Sequence, residues 1–455
     1  MKSGHIDPWS LDVHQDVKPS LPAAFGIVAL CLSASAAGAA EAAASDNKHM
    51  GVASCASSVC HGKSSPQKDK HVALNEYTVW SRDDRHSQAY NRLKSALSMQ
   101  IAAKLAIANP AGAKLCLDCH ADSTPVGKPG PTKFKITDGV GCEACHGGAE
   151  KWIETHAQPT ATHKENLARG MYPTEQPLQR AALCLSCHLG TRDKFATHVI
   201  MGAGHPRLSF ELEAFTANQP AHYVVDADYV ARKGKIDGMN LWVTGQIENA
   251  ERYLTLLQSN LLMPSGMIPE LAFYDCFACH HATDNIRWSS TRAGPGINPG
   301  TLRLQKQNLL MIQAVAEAVG PDSLADIVAG TDNLIRAGQI DAASVRSAAQ
   351  RLLDRLHRCE SWSTRAYSET EIARVRKILL RFAAEDRASD FGAAEQVVLG
   401  VESLSYSLND RDRRKSAIDA LYDRVKSGAN FNAALFADAA RRSWDACVWI
   451  KPWWM

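Results

Sequence analysis

The sequence predicts a mainly α protein in two parts, a loop-rich N-terminal segment organised by cysteine pairs and a C-terminal bundle of amphipathic helices. Two observations carry this. Ten of the 13 cysteines lie between Cys55 and Cys279, with Cys31 before them and only Cys359 and Cys447 after. From about residue 301 the cysteine pairs stop and apolar residues recur at helical spacing. The 455 residues allow two or three domains and a sizeable core. With 50 Lys+Arg against 48 Asp+Glu and a formal net charge of +2, nothing draws the chain towards nucleic acid.

Residues 21–40, LPAAFGIVALCLSASAAGAA, read as an apolar core running into small residues, and Ala37-Gly38-Ala39 fits a small-x-small cleavage site. The apolar part is short for a membrane span, so the reading is a cleaved secretory signal over 1–40. Asp7, Asp12 and Asp16 make an acidic leader, and a start near Val17 would restore a basic one. Leu30 before Cys31 does not suit a lipid anchor. The expected product is exported, soluble and periplasmic.

Four cysteine pairs share one pattern: CLDCH (Cys116, Cys119, His120), CEACH (Cys142, Cys145, His146), CLSCH (Cys184, Cys187, His188) and CFACH (Cys276, Cys279, His280). This is C-x-x-C-H, the attachment sequence for c-type haem. Two thiols about one turn apart can add to the vinyl groups on one porphyrin edge, and the following imidazole becomes the proximal iron ligand. Structural zinc and disulfides are the competing readings of paired cysteines. Neither explains a histidine after every pair. With 17 His in 455 residues, chance puts histidine at a given position roughly once in 27, so five successive hits are on the order of one in ten million.

SCASSVCHG carries a stretched version, Cys55 and Cys60 with four residues between them and His61 directly after. It keeps the proximal histidine and adds two residues that can loop out. A fifth haem is expected, with a disulfide and a surface histidine as the alternative, which would leave four. The chain therefore divides into a multihaem c-type cytochrome domain over 41–293 and a helical domain over 301–455.

Beyond the five proximal residues and those of the leader, ten histidines remain: His49, His71, His86, His156, His163, His198, His205, His222, His281 and His357. At most five are needed as sixth ligands. His86 opens a stretch of helical periodicity and can reach outward from a helix start. His156 lies one short loop beyond His146, and His198 and His205 flank the compact turn VIMGAG, where Pro206 keeps His205 out of a continuing helix. His281 directly follows His280 and cannot reach the opposite face of the same iron. His357 sits in an amphipathic stretch far from every motif and reads as an ordinary helix residue.

Residues 50–190 resemble the cytochrome c554 family of multihaem cytochromes. The resemblance rests on a first motif followed by Trp80 and then His86, an isolated second motif, the segment GVGCEACHG with His156 about ten residues on, and a fourth motif in CLSCHLG. It implies that His86 and His156 are distal ligands, that haems pack in close pairs, that the second haem lacks a protein sixth ligand, and that the protein transfers electrons in the periplasm. The stretched first motif departs from the family, and the segment from about 195 to 290 with the fifth motif lies outside it.

In the C-terminal part, Leu309, Ile312, Val315 and Val319 form an apolar face before Gly320-Pro321 ends the helix, and Ser368-x-x-Glu371 is a capping box. Further helical patterns cover 341–358, 392–408, 410–427 and 431–449. The tail, with Trp444, Trp449, Trp453 and Trp454, suits a membrane interface, a partner in a respiratory complex, or packing against its own domain. Cys359 and Cys447 could form a disulfide. Three functions are open. An electron carrier between other redox proteins is preferred. The alternatives are an oxidoreductase acting on a small nitrogen or sulfur compound at a five-coordinate haem, for which the Cys116 site is the candidate, and a docking component. There is no C-x-x-C-K motif.

Overall fold

Among the described residues, α-helices run to at most 12 residues up to residue 233, and beyond residue 237 all but Lys415–Tyr422 run to 13 or more, a change that follows the sequence pattern. The computed structural model describes residues 47–67, 72–122, 133–235, 237–264, 266–280, 297–298, 301–426 and 428–448. The expected signal, His71, His281 and the last tryptophans lie outside these residues, as do the side chains of Trp444 and Cys447. Ten helices of at most 12 residues run through the first part: α1 (Glu76–Asp83), α2 (Ala89–Arg92), α3 (Ala96–Lys104), α4 (Lys114–His120), α5 (Cys142–His146), α6 (His163–Ala168), α7 (Pro177–His188), α8 (His198–Ala203), α9 (Leu212–Asn218) and α10 (Ala227–Lys233). Eight follow: α11 (Gly238–Gln258), α12 (Gln307–Val319), α13 (Pro321–Ala337), α14 (Ala342–Leu356), α15 (Glu369–Ala384), α16 (Phe391–Ser407), α17 (Lys415–Tyr422) and α18 (Ala433–Val448). Among the described residues the β structure is a single antiparallel bridge, Tyr274 to Leu304.

Several boundaries have local causes. Ser368 and Glu371 form the expected capping box of α15. Gly320 ends α12, but Pro321 also opens α13, because proline at the first helical position gives up an N–H that would have no partner there. The periodic stretch from His86 is not one helix. His86 lies in a 3-10 turn (Arg85–Gln88), and the chain restarts at α3, where the Ser95 hydroxyl accepts the Ser98 N–H at 3.2 Å. VIMGAG forms most of the helix α8, with Thr197 as its N-cap.

No local pattern marks α11 in the sequence, because it is buried on most faces and carries no polar stripe. It packs on α7 and α9 towards the first part and on α12, α14 and α16 towards the second. Trp242, Leu254 and Leu257 join Met311, Leu352, Phe382 and Val397 in one continuous apolar core. At the crossing with α9 the backbones approach so closely that a Cβ on Gly245 would sit 2.6 Å from the Leu212 Cβ. Buried amides continue across this junction. Asn308 Nδ2 donates to Gln246 Oε1 at 2.8 Å, Gln246 Nε2 to Gln396 Oε1 at 3.1 Å, and Gln396 Nε2 to the Phe210 carbonyl at 3.1 Å. Among the described residues no helix is long and apolar enough to cross a membrane.

Candidate haem centres

Three of the regular motifs lie on helices. CLDCH ends α4, CEACH is α5 and CLSCH ends α7, so each pair of thiols sits one turn apart. The fifth occupies a 3-10 turn in which the His280 N–H donates to the Cys276 carbonyl at 2.7 Å. The stretched first motif closes in the same manner. The His61 N–H donates to the Cys55 carbonyl at 3.1 Å, while Ala56–Val59 loop outward and Val59 is 82% exposed. The two extra residues therefore leave the first cysteine and the histidine joined as in the fifth motif. Among the described residues, none of these ten cysteines forms a disulfide. Hydrogen-bonding contacts place Cys55 against Cys142 and Cys119 against Cys187, and these contacts with burial push the Cys55 and Cys119 thiols up. The first motif thus lies beside the third, and the second beside the fourth.

Each histidine that follows a cysteine pair faces one other imidazole. Ring centroids are 6.1 Å apart for His61 and His156, 6.3 Å for His86 and His188, 6.3 Å for His120 and His205, 6.2 Å for His146 and His222, and 6.2 Å for His198 and His280. A metal bonded to nitrogen at about 2.0–2.1 Å on both sides separates two trans imidazole centroids by roughly 6 Å. The rings are too far apart to be in contact and spaced to share a metal.

Hydrogen bonds fix which nitrogen faces the gap. Nδ1 of His61 meets Glu76 at 2.9 Å and Nδ1 of His86 meets Asp84 at 2.8 Å. Nδ1 of His120, His156 and His205 lies 3.1, 3.1 and 2.8 Å from the carbonyls of Ala89, Trp152 and Pro206. In all five the Nδ1 partner leaves Nε2 as the nitrogen turned to the gap, the arrangement in which a histidine can bind a metal. The Glu76 carboxylate raises the His61 pKa, and that of Asp84 raises the His86 pKa. Burial would raise the Asp84 pKa, but hydrogen bonds from His86 and Gln219 hold it at about 2. Burial, and then the neighbouring His222, depress His146 to about 3, so it stands neutral as a ligand must.

A Val140 strap supports His86. The Val140 N–H donates to the His86 carbonyl at 3.1 Å, and the Trp80 indole donates to the Val140 carbonyl at 3.1 Å. Gly139 makes the turn at φ +75°, and a Cβ there would lie 2.8 Å from the His86 oxygen. Glu143, inside the third motif, accepts the N–H groups of Met50, Gly51 and Ala149 at 2.7–2.8 Å and so anchors the approach to the first motif. Beside Cys276 a cleft is lined by Arg207, Arg303 and Lys306 together with Asp275 and Asp390, and Arg207 and Arg303 pair with Glu395 and Asp275.

His86, His156, His198 and His205 each stand opposite a motif histidine. His222 was the missed one. It lies in a loop between α9 and α10 and no local pattern marks it. His205 faces His120, at the motif where the resemblance implied an open sixth position. His49 instead pairs with Asp122 at 2.7 Å and His163 with Glu175 at 2.8 Å. Cys359 is buried, its Sγ 3.8 Å from the Arg355 carbonyl.

Paired thiols one turn apart, a histidine after each pair and a second imidazole opposite are what attachment of a c-type haem requires. Residues 54–147 match the model of the family Cytochrome c554 and c-prime, a stretch that includes the first three motifs, Trp80 and His86. No curated protein and no solved structure matches the chain.

Proposed function

We propose that the protein is a pentahaem electron carrier of the periplasm, passing electrons between other redox proteins. The five histidine pairs at 6.1–6.3 Å carry this reading. Cys55 and Cys60, Cys116 and Cys119, Cys142 and Cys145, Cys184 and Cys187, and Cys276 and Cys279 would hold the haems. His61, His120, His146, His188 and His280 would be the proximal ligands, with His156, His205, His222, His86 and His198 opposite them in that order. Bound haem c supplies a one-electron iron couple. The chain fixes both axial imidazoles and, through Glu76 and Asp84, makes the His61 and His86 ligands more basic. The two thiol contacts between motifs support close packing of the haems in pairs.

An oxidoreductase needs an iron position open to substrate and acid–base groups beside it. His205 stands where that opening would be, which weighs against the enzyme reading. The test joins intact mass with electron paramagnetic resonance on protein from a host that matures c-type cytochromes. Five haem increments and low-spin signals alone are expected; a high-spin signal in the oxidised protein would reject six-coordination throughout, and four increments would empty the Cys55 site. His222→Ala should convert one haem in five to high spin and leave the others unchanged, whereas His163→Ala should alter none.

A further inference from the structure

A second set of ligand-type side chains lies on the bundle side of α11 and has no part in the haem centres. Glu251 of α11 meets His357 and Glu360, which belong to the 3-10 turn His357–Ser363 that follows α14. One ligand atom from each of the three lies within 4.8 Å of the others. Glu251 is only 7% exposed, and its Oε1 has no hydrogen-bond partner. That same oxygen faces the His357 Nε2 at 4.0 Å. The separation is too long for a hydrogen bond and within the combined reach of two metal–ligand bonds of about 2.0–2.2 Å.

The local charge calls for a cation. Glu248, one turn before Glu251, is also buried. Arg252 acts on Glu248 through its charge and gives one guanidinium nitrogen to the Ala182 carbonyl, and Arg358 pairs with Asp326 at 2.9 Å. No ion pair within hydrogen-bonding distance compensates Glu251 among the described residues. His357 is 35% exposed, so the site opens to solvent on one side.

We infer that Glu251, His357 and Glu360 hold a divalent first-row transition-metal ion, with Glu248 as a neighbouring carboxylate. An imidazole among the ligands favours ions such as zinc, since calcium and magnesium take all-oxygen shells. Three protein ligands leave a position for water. The ion would tie the end of α14 to the middle of α11, the helix on which α7 and the fourth motif pack.

The test uses the haem-loaded full chain, stripped with a chelator and then dialysed against zinc chloride, with zinc counted by mass spectrometry separately from haem iron. Wild type should take up one more zinc ion per chain than either Glu251→Gln or His357→Ala, and its zinc affinity at that site should exceed theirs at least tenfold. Zinc should raise the melting temperature of wild type and not that of the variants. Equal zinc content and affinity in wild type and His357→Ala would overturn the assignment, as would uptake of calcium in place of zinc. Unchanged haem spectra without zinc verify the fold of each variant. If Glu251→Gln does not fold, the partly exposed His357→Ala decides the matter.

Discussion

The two regions on either side of residue 237 hold themselves together by different means. In the bundle, α11 to α18 bury a continuous set of large side chains, from Trp242 to Phe436. In the motif region the buried side chains larger than alanine are scattered, among them Val52, Leu93, Trp152 and Tyr229, and the one small cluster, Leu185 with Phe210 and Leu212, leans on Leu241 of α11. Helices of four to 12 residues are marginal without packing. Histidines are held there by backbone carbonyls, carboxylates and straps such as Val140. An apolar core can fold before anything binds, whereas a segment built around thiols and imidazoles needs its cofactor as interior.

The largest test of that contrast is the full chain produced without haem attachment. Amides of residues 47–235 should exchange at near-unfolded rates while those of α12 to α16 remain protected in hydrogen-exchange mass spectrometry. Comparable protection in both regions would break the comparison. In the haem-loaded protein, Phe382→Ala should cost about 3–5 kcal/mol in denaturant unfolding of the bundle, because the ring is fully buried, with the haem spectrum unchanged. At the junction, Gln246→Ala removes the partner of Asn308 Nδ2 and of Gln396 Oε1 and should cost about 1–3 kcal/mol. That variant should loosen both regions, which differential exchange around Phe210 would reveal.

The smallest expected effect is in pH. Burial pushes Glu211, the N-cap of α9, up to about 7, even though its carboxylate accepts the N–H groups of Glu213 and Ala214. Its folded pKa is above its unfolded value. Its contribution to stability is therefore full below about pH 4.3 and is lost as pH rises through about 7. Glu211→Gln should flatten that part of the stability curve, measured by thermal melts at stepped pH.

What was legible in the sequence was what is local. The bundle helices after residue 301 carry apolar stripes or caps, and four expected patterns lie within a few residues of α14, α16, α17 and α18. The α11 helix was silent because burial on most faces erases the stripe that marks an amphipathic helix. His86 could be picked out, yet the helix expected from it is interrupted by the Ser95 cap, a competition between side chain and backbone that apolar spacing does not record.

The sequence by itself determined where the paired thiols stand and which histidine follows each pair, since two thiols and an imidazole within five residues are set by one turn of backbone. Even the two extra residues between Cys55 and Cys60 leave that local closure in place, through the bond from the His61 N–H to the Cys55 carbonyl. Only the tertiary structure decided which imidazole stands opposite. His156 comes ten residues after His146 but faces His61, His86 faces His188 far down the chain, and His222 rises from a loop to meet His146. The physical reason is reach. A ligand on the far side of a metal cannot come from the turn that supplies the near one, so it is provided by whichever element packing brings there.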